Sequence, residues 1–220
     1  CKLINVRQTP FDNLLNAAVK RGLDIIGSLI LIILTSPVML VTAIGVKLSS
    51  PGPVIFRQER IGLNKKPFMM YKFRSMCVGA EHMGTGQYSY KGDSRVTRVG
   101  KIIRATSLDE LPQFINILKG DMSFIGPRPT LTYHPWKLEE YTDFQRRRFE
   151  VRPGITGLAQ VHGRKAIDWN DRIKYDVEYV DNLSLGLDCK ILFQTVWNVL
   201  TMKDNDNVGK TSQTKENKDA

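Results

Sequence analysis

The chain has 220 residues and a mass of 25.0 kDa, the size of one domain with room for an appendage. At 42% hydrophobic and 25% charged residues it carries enough apolar material for a packed core, which excludes wholesale disorder. Lys and Arg outnumber Asp and Glu by 32 to 22, giving a net charge of +10 that favours nucleic acid, acidic headgroups or phosphorylated substrates as partners. Cys1, Cys77 and Cys189 form no CxxC pair, and His82, His134 and His162 show no metal-ligand spacing. The pattern argues against a disulfide framework and a zinc knuckle, and points to a reducing, cytosol-facing compartment. Starting at Cys1 rather than Met, the chain reads as the end piece of a longer protein, with a lipidated Cys1 as the sharper alternative.

The N-terminal segment, residues 1–19, precedes a membrane segment over residues 20–48. Its centre, Ile25 to Val46, runs twenty-two residues without a charge, although the mean hydropathy of the whole chain is only −0.24. That length meets the ~20 residues needed to cross a bilayer. Ser36-Pro37 interrupts it, where proline removes a backbone donor. Basic residues flank both sides, Lys20 and Arg21 before and Lys47 after, without the asymmetry of an ordinary span. A segment that dips in, bends at Ser36-Pro37 and returns to the same face explains both features. A proline-kinked span is the alternative, and spacing alone leaves both open.

Residues 49–202 form the polar domain. Val54-Ile55-Phe56 and Phe68 to Phe73, separated by Gly62-Leu63-Asn64-Lys65-Lys66, predict a β-hairpin with a longer loop. Residues 79–94 read as a loop; Gly84-Thr85-Gly86 lacks the strand–helix frame of a nucleotide fingerprint. Ser107 to Lys119 predicts a helix with Leu111, Phe114, Ile115 and Leu118 on one face and Gly120 as its stop. Trp136 to Phe149 predicts a second, charged helix. Leu187 to Met202 predicts a third, whose wide apolar face with Trp197 suits the membrane interface and equally a core. Residues 203–220 read as a disordered tail. The fold class expected is α+β, mainly helical.

Ser107-Leu108-Asp109-Glu110 places two carboxylates side by side at a helix start. A capping box between Ser107 and Glu110 explains them structurally. Pro112, one turn on, predicts a distorted backbone, and distortion beside an acidic pair points to a site. Gly126-Pro127-Arg128-Pro129 holds an arginine between rigid flanks, suited to clamping a phosphate, though a turn with a solvated arginine fits as well. From Arg152 to Arg164, three glycines allow close approach to a ligand while the two arginines supply cations. Arg146-Arg147-Arg148 reads as a solvated or lipid-facing surface.

Several of these segments resemble one family in order along residues 16–202. They are Lys20-Arg21-Gly22-Leu23-Asp24, Ser36-Pro37, Tyr71-Lys72-Phe73-Arg74-Ser75-Met76, Ser107 to Gln113, Lys119 to Pro129 and Arg152 to Gly157. Together they resemble the bacterial sugar transferases, monotopic polyprenyl-phosphate phosphoglycosyl transferases. The resemblance implies transfer of a sugar 1-phosphate from a UDP-sugar to polyprenyl (undecaprenyl) phosphate, releasing UMP, as the first step of surface glycan synthesis. It implies Asp109 as covalent nucleophile, Glu110 and Asp109 as ligands of Mg²⁺, and Arg128, Arg152 and Lys72 on substrate phosphates. It also implies a re-entrant helix broken at Ser36 and Pro37, a cytoplasmic-face location on the bacterial inner membrane, no nucleic-acid partner, and compatibility with a homodimer. The competing reading is a non-enzymatic basic module that binds membrane surfaces and has no use for Asp109.

Overall fold

The structure, a computed structural model, describes residues 14–83, 92–163 and 167–201. The expectations for residues 1–13, Gly84-Thr85-Gly86, Arg164 and the tail from residue 203 fall outside the described residues. The secondary structure is mainly helical with two small sheets, as the α+β expectation requires.

The apolar run belongs to one helix, α1 (Leu14–Ser49), of 36 residues, long and apolar enough to cross a bilayer. Pro37 lies inside it without ending it. The missing N–H of Pro37 would leave the Ile33 carbonyl bare, and the Ser36 hydroxyl donates to that carbonyl at 2.8 Å. One residue earlier the Thr35 hydroxyl donates to Leu31 O at 2.6 Å. The Ser36 side chain therefore replaces the lost backbone bond, which hydrocarbon surroundings demand.

Polar contacts dock the N-terminal end of α1. Lys20 Nζ lies 2.5 Å from Asp188, and Arg21 donates to the carbonyls of Ile117 and Leu118 at 2.7 and 2.9 Å. Asp24 accepts from the Ser123 hydroxyl and the Phe124 N–H at 3.0 and 3.1 Å. Apolar contacts dock the other end, where Met39, Ala43 and Val46 pack with Phe73 and Ile103. The buried Arg74 then donates to the Ser50 and Pro51 carbonyls, both at 2.7 Å, just beyond the last turn. Between these ends Ile26, Ile30, Ile33, Leu34, Val41 and Ile44 remain exposed. Both ends of α1 thus rest on the same polar body.

The hairpin forms as expected from strands β1 (Ile55–Ile61) and β2 (Pro67–Phe73), with Ile55 opposite Phe73 and Ile61 opposite Pro67. Its turn carries Asn64 and Lys65 at φ of 53° and 63°. Helix α2 (Arg98–Ala105), which sequence reasoning did not assign, starts at Thr97, whose hydroxyl accepts from Gly100 N at 2.8 Å.

The helix expected from Ser107 is broken. Leu108–Glu110 form a 3₁₀ turn, and α3 (Gln113–Lys119) begins only after Pro112. Ser107 sits at φ 58°, ψ 17°, and its side chain makes no capping bond. The capping box therefore does not form: Ser107 is left-handed, outside the extended geometry a cap needs, and Glu110 points elsewhere. Gly120 ends α3 as expected, its N–H shared by the Asn116 and Ile117 carbonyls.

Strands β3 (Ser123–Ile125) and β4 (Gly154–Thr156) pair in parallel. A Cβ at Gly126 would meet the Arg152 carbonyl oxygen, one at Gly154 the Gly126 nitrogen, and one at Gly157 the Gly126 oxygen. Gly154 and Gly157, two of the three glycines expected to cradle a ligand, thus serve chain-to-chain approach, and a Cβ at the third, Gly163, would meet the Ile167 side chain. Trp136–Phe149 is likewise no single helix, but two 3₁₀ turns around α4 (Asp143–Arg146), because Thr142 caps a fresh start with Gln145 in a capping box. Nor are all three arginines a solvated face: Arg148 is buried against Asp176, and Arg147 pairs with Asp181. Helices α5 (Leu158–Gly163) and α6 (Trp169–Asp181) also went unassigned. α7 (Leu185–Leu200) turns Ile191 into a core with Ile125, Leu158, Val161, Tyr179 and Leu183, and leaves Phe193, Val196 and Trp197 exposed.

These caps set a contrast. Thr97→Ala should cost about 1 kcal/mol, whereas Ser107→Ala should cost a few tenths at most, since no bond is lost. Denaturant titration of the two variants checks it, and equal losses would restore the Ser107 cap.

Candidate active site

A 3₁₀ turn spaces successive side chains by about 120°, so Asp109 and Glu110 diverge although adjacent. Glu110 faces the hairpin and the segment after β3. Its Oε1 accepts from Lys72 Nζ at 2.7 Å and from Arg128 Nη2 at 3.2 Å. Asp109 instead lines a cavity of about 670 Å³ with Lys72, Arg57, Arg60 and Arg104. Among the described residues no hydrogen bond or ion pair reaches the Asp109 carboxylate or Glu110 Oε2.

Each partner of Glu110 is fixed from behind. The hairpin is held on α3 by Asn116, which is fully buried: its Nδ2 donates to Met69 O at 2.7 Å and its Oδ1 accepts from Tyr71 N at 2.9 Å. Lys72 follows directly. The segment bearing Arg128 is pinned at four consecutive carbonyls. Pro127 O accepts from Gly154 N at 3.0 Å, Arg128 O from Arg148 at 2.8 Å, Pro129 O from Arg60 at 3.3 Å and Thr130 O from Ile61 N at 2.9 Å. Arg95, itself paired with Asp93, donates to the Ala80 and Met83 carbonyls at 2.8 and 2.7 Å and ties down the segment whose Gly79, Ala80 and Glu81 line the cavity.

The two carboxylates are tuned in opposite directions. Burial pushes the Asp109 carboxyl up, aided by the neighbouring Glu110 charge and opposed by Lys72, Arg104 and Arg128. Burial also acts to raise Glu110, but Lys72 and Arg128 together outweigh it and hold that carboxyl well below the usual carboxylate range. The concentration of cations lowers Arg60 to about 10, through burial first and Arg128 second.

The geometry joins four of the sequence-predicted residues, Asp109, Glu110, Lys72 and Arg128, and leaves Arg152 apart. Arg152 Nε donates to Gly120 O at 2.9 Å, at the C-terminal end of α3, where its charge suits the helix dipole. The seven-residue length of α3, ~10 Å, separates that end from the acidic turn. Asn116, Arg148 and Asp176 were missed. Asn116 interrupts the apolar face of α3, and Asp176 falls between Ile173 and Val177 on the buried face of α6, so each carried the signal of a polar residue at a core position. Among the described residues no three His, Cys, Asp or Glu side chains gather into a metal cage. The partner-free Asp109 carboxylate and Glu110 Oε2 nevertheless fit Mg²⁺, which takes one or two carboxylates and completes its shell with water and phosphate oxygens.

An apolar helix bearing a polar domain, with one carboxylate turned into a cation-lined cavity and its neighbour ion-paired beside it, defines a membrane-associated protein built for an anionic ligand. The chain belongs to the bacterial sugar transferase family, whose model matches residues 15–202. It is 50% identical over 188 residues to a UDP-N-acetylgalactosamine-undecaprenyl-phosphate N-acetylgalactosaminephosphotransferase of Aeromonas hydrophila, covering 84% of this chain and 44% of that protein. It is 43% identical over 200 residues to the UDP-glucose:undecaprenyl-phosphate glucose-1-phosphate transferase of Escherichia coli K12, covering 89% of this chain and 43% of the relative. With the uncharacterized sugar transferase EpsL of Bacillus subtilis it shares 46% identity over 181 residues, 82% of this chain and 87% of EpsL. The chain thus spans less than half of the first two relatives and most of the third.

Opposite tuning predicts opposite stability effects. A carboxyl raised by burial lends stability below its unfolded pKa that is lost as pH rises through the folded value, so Asp109→Asn should leave the melting temperature at pH 7 unchanged or higher. A depressed carboxyl lends stability above its unfolded pKa, lost as pH falls, so Glu110→Gln should cost about 1–3 kcal/mol by stranding Lys72 and Arg128. Thermal unfolding of both variants in detergent is the measurement, and a destabilised Asp109→Asn would contradict the assignment.

Proposed function

We propose that the protein transfers a sugar 1-phosphate from a UDP-sugar to a polyprenyl phosphate, the undecaprenyl carrier, at the cytoplasmic face of the bacterial inner membrane, beginning surface glycan synthesis. The observation that carries this reading is the pairing of a partner-free Asp109 with a neutralised Glu110 at the wall of a cation-lined cavity. The names of the Aeromonas and Escherichia relatives support donor and acceptor class. A membrane-surface module would need basic residues but no acidic pair with one member ion-paired and the other turned into a cation-lined cavity, and this favours the enzyme.

In the proposed first step an Asp109 oxygen attacks the sugar-bearing phosphorus of the donor. The bond from that phosphorus to the bridging oxygen breaks, UMP leaves with the electron pair, and a sugar phosphate remains as an acyl phosphate on Asp109. In the second step an oxygen of the lipid phosphate attacks the same phosphorus and expels the Asp109 carboxylate, giving polyprenyl-diphosphate-sugar. Lys72 and Arg128 hold Glu110 ionised and place positive charge where the pyrophosphate must sit, while Arg57, Arg60 and Arg104 extend that field along the cavity. Mg²⁺, held by Glu110 and Asp109, would supply charge neutralisation to the pyrophosphate. The 79–92 loop, whose first residues line the cavity, is the proposed sugar-side contact.

For α1 we propose the re-entrant arrangement, with α7 lying in the interface. Two ends docked on one polar body support it, because a perpendicular span would carry one end about 30 Å away to the opposite surface. The exposed Phe193, Val196 and Trp197 suit headgroup depth.

Two outcomes follow. Incubation with UDP-sugar labelled in the sugar should leave label on the protein, and Asp109→Asn should abolish both this label and UMP release while remaining folded; retained label would remove Asp109 as nucleophile. After replacement of the native cysteines, Val19→Cys and Leu48→Cys should both resist an impermeant thiol reagent in intact spheroplasts and react once these are opened. Reaction of either site from outside would establish a span.

A further inference from the structure

Arg148 and Asp176 form the most deeply buried ion pair among the described residues, each side chain 1% exposed, with Nη2 2.6 Å from Oδ2. As a device for stability the pair is poor. Removing two charges from water is costly, and a well-packed apolar pair of similar volume is often as stable. The pair is also incompletely satisfied: Arg148 Nε and Nη1 and Asp176 Oδ1 have no protein partner. Its one strong bond outside itself runs from Arg148 Nη2 to the Arg128 carbonyl at 2.8 Å. Arg128 is the residue whose guanidinium reaches Glu110. Pro127 and Pro129 stiffen the backbone on either side of Arg128, so a displacement at its carbonyl is passed on to its Cα, the root of the side chain.

We infer that Arg148, oriented by Asp176, is a positioning residue for phosphosugar transfer: it grips the Arg128 carbonyl and so sets the Arg128 guanidinium against the acidic turn. The other neighbours of Arg148 do not account for this bond. It lies over the Phe149 ring at 5.5 Å, a contact a lysine or methionine stem could also make. Burial pushes the Asp176 carboxyl up, opposed by Arg148 and Arg172. Placement errors of ~1 Å at a reacting centre cost on the order of 100-fold in rate. A residue that does not line the cavity can therefore have a large effect through a single hydrogen bond.

The inference rests on the proposed reaction for its assay, and the wild-type protein in that assay separates the two: absent UMP release sinks the reaction, whatever Arg148 does. The test compares the full chain with an apolar replacement, Arg148→Met/Asp176→Leu, and with Arg148→Lys. The apolar pair should melt close to wild type, yet its kcat for UMP release should fall tenfold or more, with donor KM changing much less. Arg148→Lys, which keeps a donor near the Arg128 carbonyl, should recover part of the loss. Added to Arg128→Lys, the apolar pair should cost little more, because both changes act through one guanidinium. An apolar-pair protein that is folded and as active as wild type overturns the inference. So does a loss that multiplies in full with that of Arg128→Lys. Should Arg128→Lys turn over too slowly to measure, the folded apolar pair decides alone, slow turnover supporting the inference and normal turnover overturning it.

Discussion

The convergence of Lys72 and Arg128 on a single oxygen of Glu110 joins three parts of the chain distant in sequence: the hairpin, the acidic turn and the segment after β3. A carboxylate this enclosed would neutralise itself without cations, so the turn can carry its charge only where both partners are held in place. Much of the domain serves that end. Asn116 fixes the hairpin on α3, the β3–β4 pair brings Gly126 against Gly154, and four donors pin the carbonyls of residues 127–130. The small sheets are scaffolding for two side-chain positions rather than the core of the fold.

The membrane helix is coupled to this frame at both ends. Arg21 and Arg152 satisfy carbonyls at the C-terminal end of α3, while Asp24 fixes β3 through Ser123 and Phe124. The opposite end of α1 packs on Phe73 and Ile103, whose neighbours Lys72 and Arg104 line the cavity. The acidic site is therefore positioned relative to the apolar helix. For the proposed reaction, with one soluble and one lipid-borne substrate, such coupling would set where the reacting phosphates meet.

What the sequence revealed depended on whether the signal was local. The apolar run, the hairpin, Gly120 as a helix stop and the position of α7 rest on composition and short-range pattern, and each appears where expected. The acidic pair and Arg128 were legible as residue types in unusual local settings, and the structure brings them together with Lys72. Arg152 lies apart from the acidic turn, on the Gly120 carbonyl: a cation beside glycines reads the same whether it faces a phosphate or a helix carbonyl, and the tertiary path of α3 decides where it sits. Arg146 to Arg148 misled for a related reason, as the partner that draws Arg148 inward lies 28 residues away on α6. Helix breaks at Ser107 and Thr142 were hidden by helical periodicity on either side; at Thr142 a capping box starts a new helix, and at Ser107 a left-handed backbone ends the helical path.

Why Asp109 and Glu110 differ at all returns to the backbone. On a regular helix begun at Ser107, the dipole and a reciprocal cap would draw Glu110 back toward the Ser107 N–H. The left-handed Ser107 forbids that arrangement, at a cost of order 1–3 kcal/mol for a strained non-glycine residue. The 3₁₀ turn that follows then sends Glu110 toward two cations and Asp109 into the cavity with no partner. The strain is local, but the tuning it permits is not: one carboxyl is held firmly ionised while its neighbour keeps the raised proton affinity of a buried acid. Two chemically similar residues acquire different surroundings because a single residue before them leaves the helical path.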